Sequence, residues 1–145
     1  MSQDTVTKPT TNEQLVLDLT HAAIACVLDN NNWEKALPLM HQVTTLVSAE
    51  KTPFSVDVAL ALDELGTMCY GAGRLTDARH FLQRSVQIKQ MSETCKSHPS
   101  LAGTLRVLSA VLRKDNAGAD QARAHEEQAT KIMEDFFAIK SNPGK

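Results

Sequence analysis

The sequence predicts an all-α fold, an α-α superhelix of about three antiparallel helical hairpins. Three observations predict it. Apolar residues recur at three- and four-residue steps in six separate stretches, without the sustained alternation that a half-buried strand needs. Short breaks rich in Asn, Gly and Pro separate these stretches, so each helix turns back on the one before it. The hairpins also repeat. A shift of 42 residues sets Trp33 on Leu75, Ala36 on Ala78, Met40 on Leu82 and Leu46 on Ile88.

Residues 1–11 are polar and Thr-rich and read as a flexible tail. Asn12 is a suitable cap for a first helix, whose expected buried stripe is Leu15, Leu19, Ala22, Ala23, Cys26 and Val27. Asp29 to Asn32 stop it, because short amide side chains compete for backbone hydrogen bonds. A second helix starts near Trp33 with the stripe Ala36, Met40, Val43, Leu46 and Val47, and Pro38 is expected near its first turn. Thr52-Pro53 breaks the chain again.

A third helix covers about Ser55 to Tyr70 and ends at Gly71-Ala72-Gly73. A fourth runs from about Thr76 to Glu93, with Thr76 and Asp77 as expected caps. His98-Pro99-Ser100 opens a fifth that reaches about Lys114. Asp115 to Gly118 lead into a sixth, from about Asp120 to Ala138, which Ser141 to Gly144 halt. The expected organisation is one helical domain over 12–140, with hairpins at about 12–50, 55–94 and 99–138, and a C-terminal tail at 141–145.

The repeat has a packing reason. A second shift of 43 residues sets Ala59, Leu62, Leu65 and Gly66 on Ala102, Leu105, Leu108 and Ser109; a shift of 44 sets Ala78 and Ile88 on Ala122 and Ile132. Gly66 or Ser109 falls midway along the first helix of a hairpin, and Ala36, Ala78 or Ala122 falls early in the second. Small side chains there let the paired helices approach, while Leu, Ile and Met fill the space toward the next hairpin.

On these residues the chain resembles the tetratricopeptide (TPR) repeat family. Leu62, Leu65, Gly66, Cys69, Ala78 and Leu82 fall at the spacing of its W-x2-L-G-x2-Y…A-x3-F pattern, with aliphatic residues or Cys replacing the aromatics. The long period and His98, Pro99, Ala102, Leu105, Leu108 and Ser109 look like the HPxxAxxLxxLA motif of the 42-residue repeats in kinesin light chains. The resemblance covers about residues 13–135. Two positions depart from it: Ile24 occupies the small position of the first hairpin, and Glu126 stands where a large apolar residue is usual.

The resemblance implies a concave groove lined by the first helices. Its positions would be Asp18, His21, Ala25 and Leu28, then Leu60, Asp63, Thr67 and Tyr70, then Gly103, Arg106, Ala110 and Arg113, with Lys114 nearby. Family members that clamp a chaperone's C-terminal carboxylate use Asn where this chain has Ala25 and Thr67, so that binding is not expected. Arg106 and Arg113 are seven apart and share a helix face; with Lys114 they could meet a carboxylate or phosphate, or form a solvated basic helix end. Phe137 leaves the stripe that Phe136 continues and is a further candidate contact, for a partner or a second copy.

Other function classes find little support. The five His residues lie on different helices, and there is no phosphate-cradling Gly loop, HExxH or Cys/His pair at zinc spacing. Asp63 and Glu64 are adjacent, point in different directions and read as a solvated face. A net charge of −2 gives no general attraction to nucleic acid or anionic lipid. No signal peptide or spanning run is visible, and Cys26, Cys69 and Cys95 read as reduced thiols. The expectation is a cytoplasmic, cofactor-free and metal-free module without catalytic residues. It would bind a protein or peptide as a scaffold or adaptor, in the setting of the cytoskeleton by analogy with light chains. Alternatives are a self-associating building block and a regulatory subunit of an enzyme.

Overall fold

A computed structural model describes residues 12–49, 54–116 and 118–141. Both terminal tails and the Thr52-Pro53 break lie outside the described residues, except for Ser141. The described residues form six helices and no strand: α1 Asn12–Asn30, α2 Trp33–Ala49, α3 Val56–Gly71, α4 Leu75–Gln90, α5 Pro99–Lys114 and α6 Ala119–Ser141. None is long and apolar enough to cross a membrane. The chain divides into two compact units, Met1–Thr52 and Pro53–Lys145.

The first unit is the hairpin α1–α2. Its turn is closed by Asn31, which sits at φ 50° in the left-handed region that Asn tolerates. Asn31 N–H donates to the Val27 carbonyl at 2.8 Å and Asn32 N–H to that of Cys26 at 2.9 Å. Asn32 then caps α2, its Oδ1 accepting from Lys35 N–H at 3.0 Å.

In α2 Ala36, Met40, Val43 and Val47 are buried, with Leu46 half-buried. The stripe on α1 is displaced from expectation. Val16, Thr20, Ala23 and Ile24 are buried, whereas Leu15 is 38% exposed, Ala22 is exposed and Cys26 and Val27 are half-buried. Most of α1 is apolar, so two neighbouring registers fit the periodicity equally well. Pro38 lies at the sixth residue of α2, beyond the first turn, and removes the hydrogen bond that an N–H there would give to the carbonyl of residue 34.

The second unit holds two hairpins, α3–α4 and α5–α6, and α4 packs on α5 to join them. Gly73 at φ 80° makes the α3–α4 turn. The cap of α4 is Arg74 and not Thr76 or Asp77, which fall inside the first turn; Asp77 instead pairs with Arg74 Nε at 3.2 Å. This helix ends at Gln90, short of Glu93, and turns follow. His98 caps α5, its Nδ1 accepting from Ser100 N–H at 3.0 Å, with Pro99 as the first helical residue.

The core of this unit is aliphatic apart from Phe81. Leu62, Leu65, Phe81, Leu82, Leu101, Leu105, Leu108 and Leu112 are each at most 1% exposed. Burying one such side chain contributes about 1.5–3 kcal/mol, so this set dominates cohesion over any single polar contact. Ala36, Ala78 and Ala122 are fully buried in their hairpins. Gly66 makes the closest approach, since a Cβ there would come within 2.8 Å of Leu82 Cγ.

Candidate functional site

Lys89 on α4 carries its charge into the unit with its side chain only 1% exposed. The alkyl stem continues the buried stripe Ala78, Leu82 and Ser85. Its three ammonium protons have three acceptors: the Asp63 carboxylate on α3, the Thr104 hydroxyl on α5 at 2.8 Å and the Ser100 carbonyl at 3.3 Å. Asp63 is in turn held from two other sides. Ser85 Oγ lies 2.5 Å from its Oδ1 and 3.1 Å from the Ala59 carbonyl, and Thr104 Oγ1 lies 3.0 Å from both carboxylate oxygens. A lysine sealed from water needs this saturation, because an unpaired buried charge is severely destabilising.

Over this polar centre lies an open cleft of about 270 Å³ between α3 and α5. Asp63 and Lys89 contribute to its floor, Thr67 and Leu82 line one side, and Gly103, Thr104 and Val107 the other. Gly103 is exposed, and a Cβ added there would meet nothing within 4 Å.

The structure distributes the other sequence candidates around this cleft and beyond it. Asp63 is not part of a solvated face: its side chain is 23% exposed and engaged by three partners, while Glu64 is exposed. The reason is helical geometry, which turns two adjacent residues about 100° apart and sends only one toward α5. Thr67 is exposed at the cleft edge. Tyr70 is half-buried, with the Lys114 ammonium 5.8 Å from its ring centre. Arg106 is exposed and forms no ion pair among the described residues.

Arg113 is not open to a ligand as a free guanidinium. It grips Glu126 with two bonds, Nε to Oε2 at 2.8 Å and Nη2 to Oε1 at 2.7 Å. Ser109 also donates to Glu126 Oε2 at 2.8 Å. The Arg113 and Ser109 bonds hold the Glu126 carboxyl down from the usual 4.5 to about 2. This accounts for a carboxylate at the position that Leu82 fills in the second hairpin. Where the second hairpin sets Leu82 against Gly66, the third sets a carboxylate against a serine and an arginine. Phe137 is 53% exposed and meets Phe136 edge-on at 5.6 Å; Phe136 in turn meets the His98 ring at 5.6 Å.

Of the groove positions in the first unit, Asp18, His21, Ala25 and Leu28 are all exposed, and Asp18 accepts from Gln14 Nε2 at 2.9 Å. Trp33 is half-buried. No group of three or more His, Cys, Asp or Glu among the described residues could hold a metal ion. Burial pushes the Cys69 thiol up to about 12, with Asp77 adding to the effect, so it is a packed thiol rather than a nucleophile.

Ser85, Lys89 and Thr104 were not among the sequence candidates. A signal exists for the first two: they continue the Ala78–Leu82 stripe at steps of three and four, so they interrupt an apolar face with polar groups that need partners. Comparison with known proteins gives no match, either to a family model or to a curated protein.

Proposed function

We propose that the chain is a protein-interaction module of TPR-like architecture, an adaptor or scaffold subunit that takes a partner's peptide or helix on the α3–α5 surface. The observation that carries this reading is the cleft beside Gly103. A glycine in mid-helix costs about 0.5–1 kcal/mol relative to alanine. Here no side chain or backbone among the described residues occupies the space, because a Cβ would meet nothing within 4 Å. An occupant from outside would need it. The cleft walls are already held by a saturated polar centre, so little ordering is required on binding. Arg106, exposed on α5 three residues after Gly103 and without an ion pair among the described residues, supplies a cation for an acidic group on the partner. The kinesin light-chain resemblance favours a cytoplasmic adaptor over a catalytic role, at the level of analogy only.

The test is to fill the cleft. Gly103→Leu places a branched side chain in open space on an exposed helix face. Affinity capture from source extract is then compared for wild type, Gly103→Leu and Arg106→Glu, the last of which should weaken capture of partners whose acidic group meets Arg106. Partners held by wild type should be lost from Gly103→Leu, with the helical circular dichroism and melting midpoint retained. An unchanged set of captured partners on the folded variant refutes the cleft as the binding site.

A further inference from the structure

We propose that the outward face of α6 pairs antiparallel with α6 of a second copy of this chain. Within its unit and among the described residues, α6 packs on α5 and on no other helix, with Ala122, Ala129 and Ile132 buried. An exposed flank of α6 forms a shallow trough of about 370 Å³ lined by Arg123, Glu127, Thr130, Lys131 and Glu134, with Glu126, which is held by α5, at its edge. These residues are disjoint from those of the α3–α5 cleft, so the inference stands apart from the peptide-binding reading.

The charges on this face are ordered. Arg123, Glu127, Thr130, Glu134 and Phe137 follow one another at alternating steps of four and three, the spacing of a seam between paired helices. The seam is symmetric about the point between Gln128 and Ala129. Arg123 and Glu134 are equidistant from that point, as are Glu127 and Thr130. A two-fold axis there sets Arg123 of one copy opposite Glu134 of the other and Glu127 opposite Thr130. Lys131 of the second copy then lies beside Glu127 on the same side of the seam. Each of these contacts occurs twice, as an isologous interface requires. Four opposite-charge pairs result. A parallel arrangement would set Arg123 on Arg123 and Glu134 on Glu134, so the pattern selects the antiparallel one.

The charges are available for this use. Glu127 and Glu134 form no ion pair among the described residues. The ion pairs of Arg123 and Lys131 among the described residues are exposed ones on their own helix, to Asp120 at 3.4 Å and Asp135 at 3.2 Å, and Arg123 also lies near enough to Glu126 to stabilise its charge. Phe137, 53% exposed, stands at the far end of the same seam and adds apolar area near the start of the partner helix. Exposed ion pairs are individually weak and screened by salt, so the dimer should be weak, with dissociation in the range of about 0.1–1 mM at low salt.

Sedimentation velocity on the full chain tests this across protein concentration at about 0.02 M and 0.5 M salt. Wild type should gain mass with concentration at low salt and lose that gain at high salt. Glu127→Lys/Glu134→Arg makes the seam wholly basic, and Arg123→Glu/Lys131→Glu makes it wholly acidic. Each alone should weaken association by at least about tenfold. Mixed one to one, they should associate again. All four positions are exposed, so circular dichroism should show both variants folded. A wild type that stays monomeric to about 1 mM at low salt overturns the proposal. So does association that survives the charge reversals, or a mixture that fails to recover it.

Discussion

The Lys89 ammonium rests on the Asp63 carboxylate, and of the two side chains only the lysine is sealed from water, at 1% against 23% exposure. The pair is therefore asymmetric, and so are the consequences of breaking it. Asp63→Ala strands a buried charge and should destabilise the chain by about 3–5 kcal/mol. Lys89→Met removes that charge and leaves Asp63 with the Ser85 and Thr104 hydroxyls and partial access to water, at about 1–2 kcal/mol. Urea denaturation of both variants decides it, and equal costs or the reverse order would contradict the asymmetry.

Two glycines should respond to alanine with opposite sign. At Gly66 a Cβ would meet Leu82 Cγ at 2.8 Å, and the buried leucine has little room to yield. Overpacking of about 1–3 kcal/mol should outweigh the gain in helix propensity of about 1 kcal/mol. At Gly103 nothing lies within 4 Å, so only the propensity gain remains, and Gly103→Ala should be stabilising by about 0.5–1 kcal/mol. Thermal melts of the two variants supply the comparison.

Glu126 links stability to acid. Its carboxyl is held at about 2 against a usual 4.5, first by Arg113 and then by Ser109. A depressed folded value means that its contribution is present above about 4.5 and is lost as pH falls through about 2. Glu126→Gln should flatten the decline of stability in that window. In an NMR titration, Arg113→Ala should move the Glu126 midpoint upward, and a midpoint near 4.5 in wild type would rule out the clamp.

The cysteines should separate by reactivity. Cys69 is fully buried with its thiol pushed up to about 12, so a disulfide reagent at pH 8 should leave it untouched until the chain unfolds. Cys26, half-buried, should react first. Mass mapping of the labelled peptides gives the order.

Helix positions and the small-residue contact of Gly66 were legible because periodicity and turn residues are local signals. On α1 periodicity fits a stripe starting at Leu15 as well as the buried one starting at Val16, because apolar residues occupy both neighbouring registers. The polar centre was hidden for another reason. Lys89 and Asp63 are 26 residues apart and Thr104 and Asp63 are 41 apart, and nothing in the local pattern couples them. Glu126 looked like a departure from the repeat until Ser109 and Arg113 gave it partners.

One nitrogen atom on α4 binds side chains of α3 and α5 and a main-chain carbonyl in the first turn of α5. Opening any of these three helices uncovers the same charge, so none can fray far without the others. Their amide protons should exchange with deuterium as one block, at a common rate, instead of helix by helix. Lys89 thus adds one shared polar tie to the apolar packing of α3, α4 and α5, and its substitution by a neutral residue should lower protection in all three helices together.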